Sequence, residues 1–248
     1  MPRARLRPLA LAALAAAAAA APGCGAEDEA SGETAGGGDR LTVYAASSLR
    51  EALPALDPGP RYSFGSSGTL ETQIDRGAPA DVFLSAGADQ PAALHEAGRC
   101  GEPVAFATNR LVLAVPQDGR VEGLDDLRAG GLRVAIGAEG VPAGDYARGL
   151  LERLGAQDVL TANRVSDERD VASVAAKVAF GSADAGFVYA TDARAAGDRI
   201  RTVALPRDVP ARYALCVVRD GPAARAFVEA VLSEAGRAAL REHGFGPP

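Results

Sequence analysis

The chain has 248 residues, with 26 Lys and Arg against 32 Asp and Glu, a formal net charge of −6 and 48% hydrophobic residues. That is enough apolar material for one large domain or two small ones, and the acidic balance disfavours a sequence-independent nucleic-acid binder, which needs a basic face for phosphates. Aromatic residues at 5% and the lack of Trp leave little for stacking on bases or sugars, and two His and three Cys leave little for a transition-metal site.

The first elements are not part of a fold. Arg3, Arg5 and Arg7 precede an Ala/Leu run from Pro8 to Ala21. The run fits the apolar stretch of a secretory signal and is short of the about 20 residues that a spanning helix needs. Ala21-Pro22-Gly23-Cys24 resembles a bacterial lipoprotein cleavage site, with Ala21 where the usual residue is Leu. Residues 1–23 are therefore expected to be a signal peptide and Cys24 the lipidated first residue, on the outer face of the cell membrane. Ordinary cleavage, giving a periplasmic or secreted protein, and an uncleaved anchor are the alternatives. Residues 24–38 are Gly, Ala, Ser, Thr and acids without apolar periodicity, and read as a flexible tether. The chain from Cys24 onward carries 23 basic and 32 acidic residues, a net charge of −9. In an oxidising compartment Cys100 and Cys216 can form a disulfide or stay as two buried thiols.

From residue 39 the chain alternates strand and helix. Leu41–Ala45 predicts a strand, Ser48–Leu56 a helix with Pro54 as a local stop, and Arg61–Phe64 a strand. A helix follows from Gly68 to Arg76, then a strand at Asp81–Ser85, a helix near Gln90–Ala97 and a strand at Arg110–Val115. The pattern restarts with a strand at Arg133–Ile136 and a helix at Pro142–Leu154, with Pro near its first turn and Gly155 as its stop. Asp170–Phe180 predicts a helix. Ala185–Tyr189, Arg201–Leu205 and Tyr213–Val218 predict strands, and Pro222–Leu240 one or two closing helices. Apolar runs separated by helices argue for parallel sheets covered on both faces. Two α/β units suit this chain better than one sheet, and no repeat of solenoid length is present.

Four turns share a design in which a strand ends, small or hydroxyl residues follow, and a helix begins: Tyr44–Leu49, Phe64–Leu70, Gly140–Asp145 and Asp167–Val171. Helix N-termini offer unpaired N–H groups and a partial positive charge. Small residues let an anion reach that backbone, and Ser hydroxyls add uncharged donors. Any single turn is better explained by an ordinary N-cap. The set is more telling, because strand C-termini of an open α/β sheet face one crevice.

Taken in order, TVYAASSL, SFGSSGTLETQI, GAPADVFLSA, RLVLAVP, EGVPAGDYA, Asp170-Val171, GFVYATDA and a terminal HGF resemble the molybdate-binding proteins of ABC importers, within the type II periplasmic binding proteins. The resemblance covers about Asp39 to Phe245. It implies a two-lobed α/β fold, each lobe a mostly parallel sheet flanked by helices, with residues 39–112 plus 208–248 in lobe 1, residues 113–207 in lobe 2 and the ligand in the cleft between them. It implies a molybdate site made of Ser48 and Ser67, each with hydroxyl and backbone N–H, the backbone N–H groups of Ala143 and Val171, and the Tyr189 phenol. Ser47 stands where the family often has Ala. Gly68 stands where it often has Ser, which removes one hydroxyl near the site. The resemblance further implies a monomer without cofactor, a membrane permease as partner and a separate ATPase subunit.

The physics suits such a site. A tetrahedral dianion accepts several hydrogen bonds, and fixed neutral dipoles select by geometry and protonation state, so a protonated phosphate would bring an O–H against donors. Sulfate is smaller and would stretch several contacts, whereas tungstate is close to molybdate in size. A sulfate or phosphate binder of the same fold is the nearest alternative, and a hydrolase is the more distant one. Gly65-Ser-Ser-Gly68 lacks the GxSxG spacing, His95 and His243 have no motif around them, and the chain has no phosphate-loop GxxxxGKS/T. Asp81 is expected to cap a turn or line the hinge. Arg148, Arg153 and Lys177 are expected on solvated helix faces, and the Asp167–Asp170 side chains are expected to point outward, with only backbone turned to the ligand.

Overall fold

The structure is a computed structural model that describes residues 40–248. The expected signal peptide, Cys24 and the expected tether lie outside the described residues. In chain order the elements are β1 (Thr42–Ala46), a 3-10 turn (Ser47–Leu49), α1 (Ala52–Leu56), β2 (Arg61–Gly65), α2 (Ser67–Asp75), β3 (Val82–Ser85), α3 (Asp89–Glu96) and β4 (Val104–Pro116). They continue with α4 (Leu124–Ala129), β5 (Arg133–Gly137), α5 (Pro142–Arg153), α6 (Asp158–Ala162), β6 (Arg164–Glu168), α7 (Val171–Ala179), β7 (Ala185–Tyr189) and α8 (Ala190–Ala195). A second 3-10 turn (Gly197–Arg199), β8 (Ile200–Val203), β9 (Pro210–Val217), α9 (Pro222–Leu232) and α10 (Glu234–Glu242) complete the chain.

The strands run in the order β2-β1-β3-β9-β4-β7-β5-β6, with β8 also on β4. At one end β2, β1 and β3 are parallel, and at the other β7, β5 and β6 are parallel. The antiparallel strands β9 and β4 join the two halves. The first part of β4, through Arg110, pairs with β9, and the part from Leu111 pairs with β7 and β8. This thirteen-residue strand is the physical link between the halves.

Burial explains the elements. β3 and β7 are buried along their whole length, as expected for strands covered on both faces. Leu49, Leu53, Phe106, Leu113, Ile136, Leu150 and Phe187 are buried in one continuous core, and each such side chain contributes about 1.5–3 kcal/mol through lost water contact. In α5, Ala147, Leu150 and Leu151 form the inward stripe, while Pro142 occupies the first turn.

The structure departs from the sequence expectations in instructive places. β4 begins at Val104, six residues before the expected strand, and β9 begins at Pro210. Both extensions exist because the two strands pair with each other. The charged segment Arg164–Glu168 is a strand because it pairs with β5. The expected Ser48–Leu56 helix splits into a 3-10 turn and α1, and Pro54 lies inside the first turn of α1, where its missing N–H costs nothing.

Asp81 accepts the Thr42 N–H at 2.7 Å and pairs with Arg219 at 2.8 Å, pinning the starts of β1, β3 and the segment after β9. Cys100 and Cys216 are disulfide-bonded, with Cα atoms 5.9 Å apart, tying the end of α3 to β9. Closing a loop of this length restricts the unfolded chain and stabilises the fold by about 2–4 kcal/mol.

Candidate functional site

Through the antiparallel β9 and β4, the strands β5 and β6 run opposite to β1 and β2, and the turns that follow these four strands, where α2, α5 and α7 begin, meet at one cavity. After β1, buried Leu49 anchors the 3-10 turn, and the Ser48 hydroxyl lies 2.8 Å from the Tyr213 phenol oxygen. After β2, Ser66 caps α2 by accepting the Thr69 N–H at 3.3 Å. Ser67 opens the helix, and its oxygen accepts the Ala86 N–H at 3.0 Å, so its own proton is free for another acceptor.

After β5, Gly140 takes a φ of 80°, a left-handed turn that delivers the chain to Pro142 and Ala143. Ala143 is the second residue of α5 and Val171 the first of α7. Amides in these positions have no acceptor inside their own helix. Tyr189 ends β7 and is 1% exposed, and its hydroxyl has no hydrogen-bond partner.

One small cavity gathers Ser48, Ser67, Ala143, Val171 and Tyr189, together with Ser47, Ser66, Val141 and Pro142. Among the described residues, no Lys, Arg, Asp or Glu lines it. Three helix N-termini point partial positive charge into a space walled by neutral donors, an arrangement that suits an anion rich in acceptors and poor in protons. Burial, followed by the fields of Tyr213, Tyr146 and two carboxylates, pushes the Tyr189 phenol well above its ordinary range. It therefore stays protonated and able to donate.

The charged run before α7 does not point uniformly outward. Asp170 is buried, and its carboxylate caps α7 by accepting the Ser173 N–H at 2.8 Å. That bond holds the charge in the helix cap and leaves the Val171 amide at the cavity. Asp167 pairs with Arg148 at 2.6 Å, Glu168 with Lys177 at 2.5 Å, and Arg169 is exposed. Arg148 is therefore more than a solvated face residue. It also donates to the Gly137 carbonyl at 2.6 Å and so ties α5 to the ends of β5 and β6.

Gly68 has a structural meaning that the missing hydroxyl did not suggest. A Cβ there would collide with the Gly140 carbonyl, so the bare backbone lets the turn after β2 meet the turn after β5 directly. Sequence reasoning also missed Tyr213 and Asn109. Tyr213 is fully buried in β9 and touches Ser48, and Asn109 reaches Tyr213 from β4. Neither lies in a Gly-rich or hydroxyl-rich turn, and only the pairing of β4 with β9 brings them to the site.

A two-halved α/β sheet with a donor-lined cavity where helices begin defines the architecture of a solute-binding protein. The chain belongs to the bacterial extracellular solute-binding proteins, whose family model matches residues 41–246. The molybdate-binding protein ModA of Mycobacterium tuberculosis is 35% identical over 245 residues, covering 91% of this chain and 92% of its own. A Bacillus subtilis protein, YvgL, provisionally named as an ABC transporter substrate-binding lipoprotein, is 30% identical over 224 residues, covering 83% and 85%. Among solved structures, the periplasmic molybdate-binding protein of Azotobacter vinelandii superposes with a TM-score of 0.74 at 26% identity, over 84% of this chain and 99% of that one.

Proposed function

We propose that this protein captures molybdate, and tungstate nearly as well, in the cavity between the two halves of its sheet, and hands it to the membrane permease of an ABC importer driven by a separate ATPase. The observation that carries this reading is the Tyr189 hydroxyl, buried without a partner, in a cavity that also gathers the first-turn amides of α5 and α7. A buried donor without an acceptor is costly, about 1–3 kcal/mol, and a dianion in the cavity relieves that cost. Ser48, Ser67, Ala143, Val171 and Tyr189 are the proposed donors. Names given to the relatives, two of them molybdate-binding proteins, support the choice of oxyanion.

Capture is proposed to proceed by closure. Residues 39–112 with 208–248 and residues 113–207 act as lobes, with β4 and β9 as the hinge. The ligand binds one lobe, and the other then adds its donors. Burial of a dianion is tolerable only when its oxygens are fully hydrogen-bonded, which makes complete closure part of the selectivity. The protein acts as an exported, Cys24-anchored monomer without a cofactor, and the lipoprotein name of the Bacillus subtilis relative supports the anchor.

Binding without catalysis is favoured by the serine surroundings. Ser48 contacts Tyr213 and Ser67 contacts a backbone amide, whereas the two His rings contact the Cys100 and Ala239 carbonyls. Among the described residues, no imidazole or carboxylate is hydrogen-bonded to either hydroxyl. Titration calorimetry with molybdate, tungstate, sulfate and phosphate tests the function. Tight, similar binding of the first two and much weaker binding of the others is expected. Equal affinity for sulfate and molybdate would overturn the assignment.

A further inference from the structure

A buried chain of hydrogen bonds runs behind the cavity from one half of the sheet to the other. Asn109 sits in β4 opposite Ala211 of β9, two residues before Leu111, which pairs with Tyr189 of β7. Its side-chain oxygen accepts the Arg110 N–H at 2.9 Å. That bond sets the orientation of the amide, because the reverse orientation would place N–H against N–H. The amide nitrogen, which can only donate, lies 2.8 Å from Thr191 Oγ1 and 3.3 Å from the Tyr213 hydroxyl oxygen. Asn109, Tyr213 and Thr191 are all buried, so no bulk water competes for these bonds.

Direction follows from donor and acceptor arithmetic. Tyr213 receives a proton from Asn109, so its own single proton goes to its other partner, Ser48 Oγ at 2.8 Å. Ser48 then accepts from Tyr213 and turns its proton to the cavity it lines. A free serine hydroxyl can either donate or accept. Held this way, its proton faces the cavity and one of its two lone pairs is already taken, which favours donation to a ligand oxygen. The Tyr213 phenol is pushed well above its ordinary range, first by burial, so it keeps the proton the chain requires.

We infer that Asn109 and Tyr213 are positioning residues that turn the Ser48 proton into the cavity, so that the site favours an oxyanion presenting a bare oxygen over one presenting a hydroxyl at that point. The inference rests on the oxyanion reading above and goes beyond it. It assigns the preference for a fully deprotonated ligand to two residues of the hinge strands that do not line the cavity. The contact from Asn109 to Thr191, two residues past Tyr189, joins the same chain to the half that supplies the phenol.

The test is a double-mutant cycle read by calorimetry with molybdate and with hydrogen phosphate in mildly alkaline buffer. Tyr213→Phe keeps the ring, which packs edge-on against Phe106, Tyr189 and Phe245, and removes only the hydroxyl. It is expected to weaken molybdate binding about tenfold and to narrow the preference over hydrogen phosphate by a similar factor, the scale of one bond to a charged group. In a Ser48→Ala background the same change is expected to alter molybdate affinity by less than about twofold. Asn109→Ala leaves the Tyr213 hydroxyl in place but frees its direction, and the same loss of preference is expected. Tyr213→Phe that leaves wild-type-like affinity and preference, or that costs the same with and without the Ser48 hydroxyl, overturns the inference. A wild-type protein that binds neither anion overturns the oxyanion reading itself.

Discussion

From the β1–β2 half, the cavity is met by side-chain hydroxyls, Ser48 and Ser67, each held from behind by a second group. From the β5–β7 half it is met by main chain at the starts of α5 and α7 and by one phenol without a partner. The difference is physical. Hydroxyls are set by what they touch, so the first half can be tuned by neighbours such as Tyr213. Amides are set by helix geometry, so the second half is tuned only by moving or blocking the backbone. A site built both ways combines adjustable donors with fixed ones, and substitutions should affect the two halves differently.

The largest expected loss is on the hydroxyl side. Ser67→Ala removes a donor to the ligand and also the acceptor of the Ala86 amide, and molybdate affinity should fall by about 3 kcal/mol in calorimetry. On the amide side no ordinary side-chain swap removes the donor, but Val171→Pro does. Asp170 is extended, as a residue before Pro requires, and the first helical position accepts Pro. Affinity should fall by about 2 kcal/mol, with a smaller loss of thermal stability from the lost valine packing. Unchanged affinity would remove the Val171 amide from the site.

Tyr189→Phe should weaken molybdate binding by about 1.5 kcal/mol, yet leave the ligand-free protein at least as stable as wild type, because the hydroxyl removed has no partner there. A drop in ligand-free melting temperature would show that the phenol has a structural bond instead. The smallest effect on affinity is expected at Asp192, behind Tyr189. Burial, against which two backbone N–H groups only partly work, pushes its carboxyl from 3.8 up to about 7. Between those values the folded protein holds the extra proton, so this residue makes stability fall as pH rises, with the loss complete above about pH 7. Asp192→Asn should therefore raise the melting temperature at about pH 8 and leave it unchanged at about pH 4. A gain of equal size at both would refute the shift.

The gathering of the five proposed donors around one cavity was legible because they sit at turns or strand ends with a local signature. Ser48, Ser67 and Ala143 stand where small or hydroxyl residues open a helix, Val171 follows the charged run that caps α7, and Tyr189 ends an apolar run. Asp170 was legible as a residue of the turn but not as a buried cap, since a charged run reads as exposed until a helix N-terminus accepts its carboxylate. Gly68 looked like a missing hydroxyl, and only the Gly140 carbonyl opposite it gives the glycine a steric purpose.

By itself the sequence determined the alternation of strand and helix, the turns that carry the proposed donors and the neutral character of the candidate site, because those depend on periodicity and on residues within a few positions of one another. The tertiary structure alone decided the join between the halves. The early start of β4, its pairing with β9, and the Asn109–Tyr213–Ser48 chain link residues 104 and 165 positions apart. No local pattern encodes a bond of that span. It exists because two long strands, each unremarkable when read singly, complete each other's hydrogen bonds in the middle of one sheet.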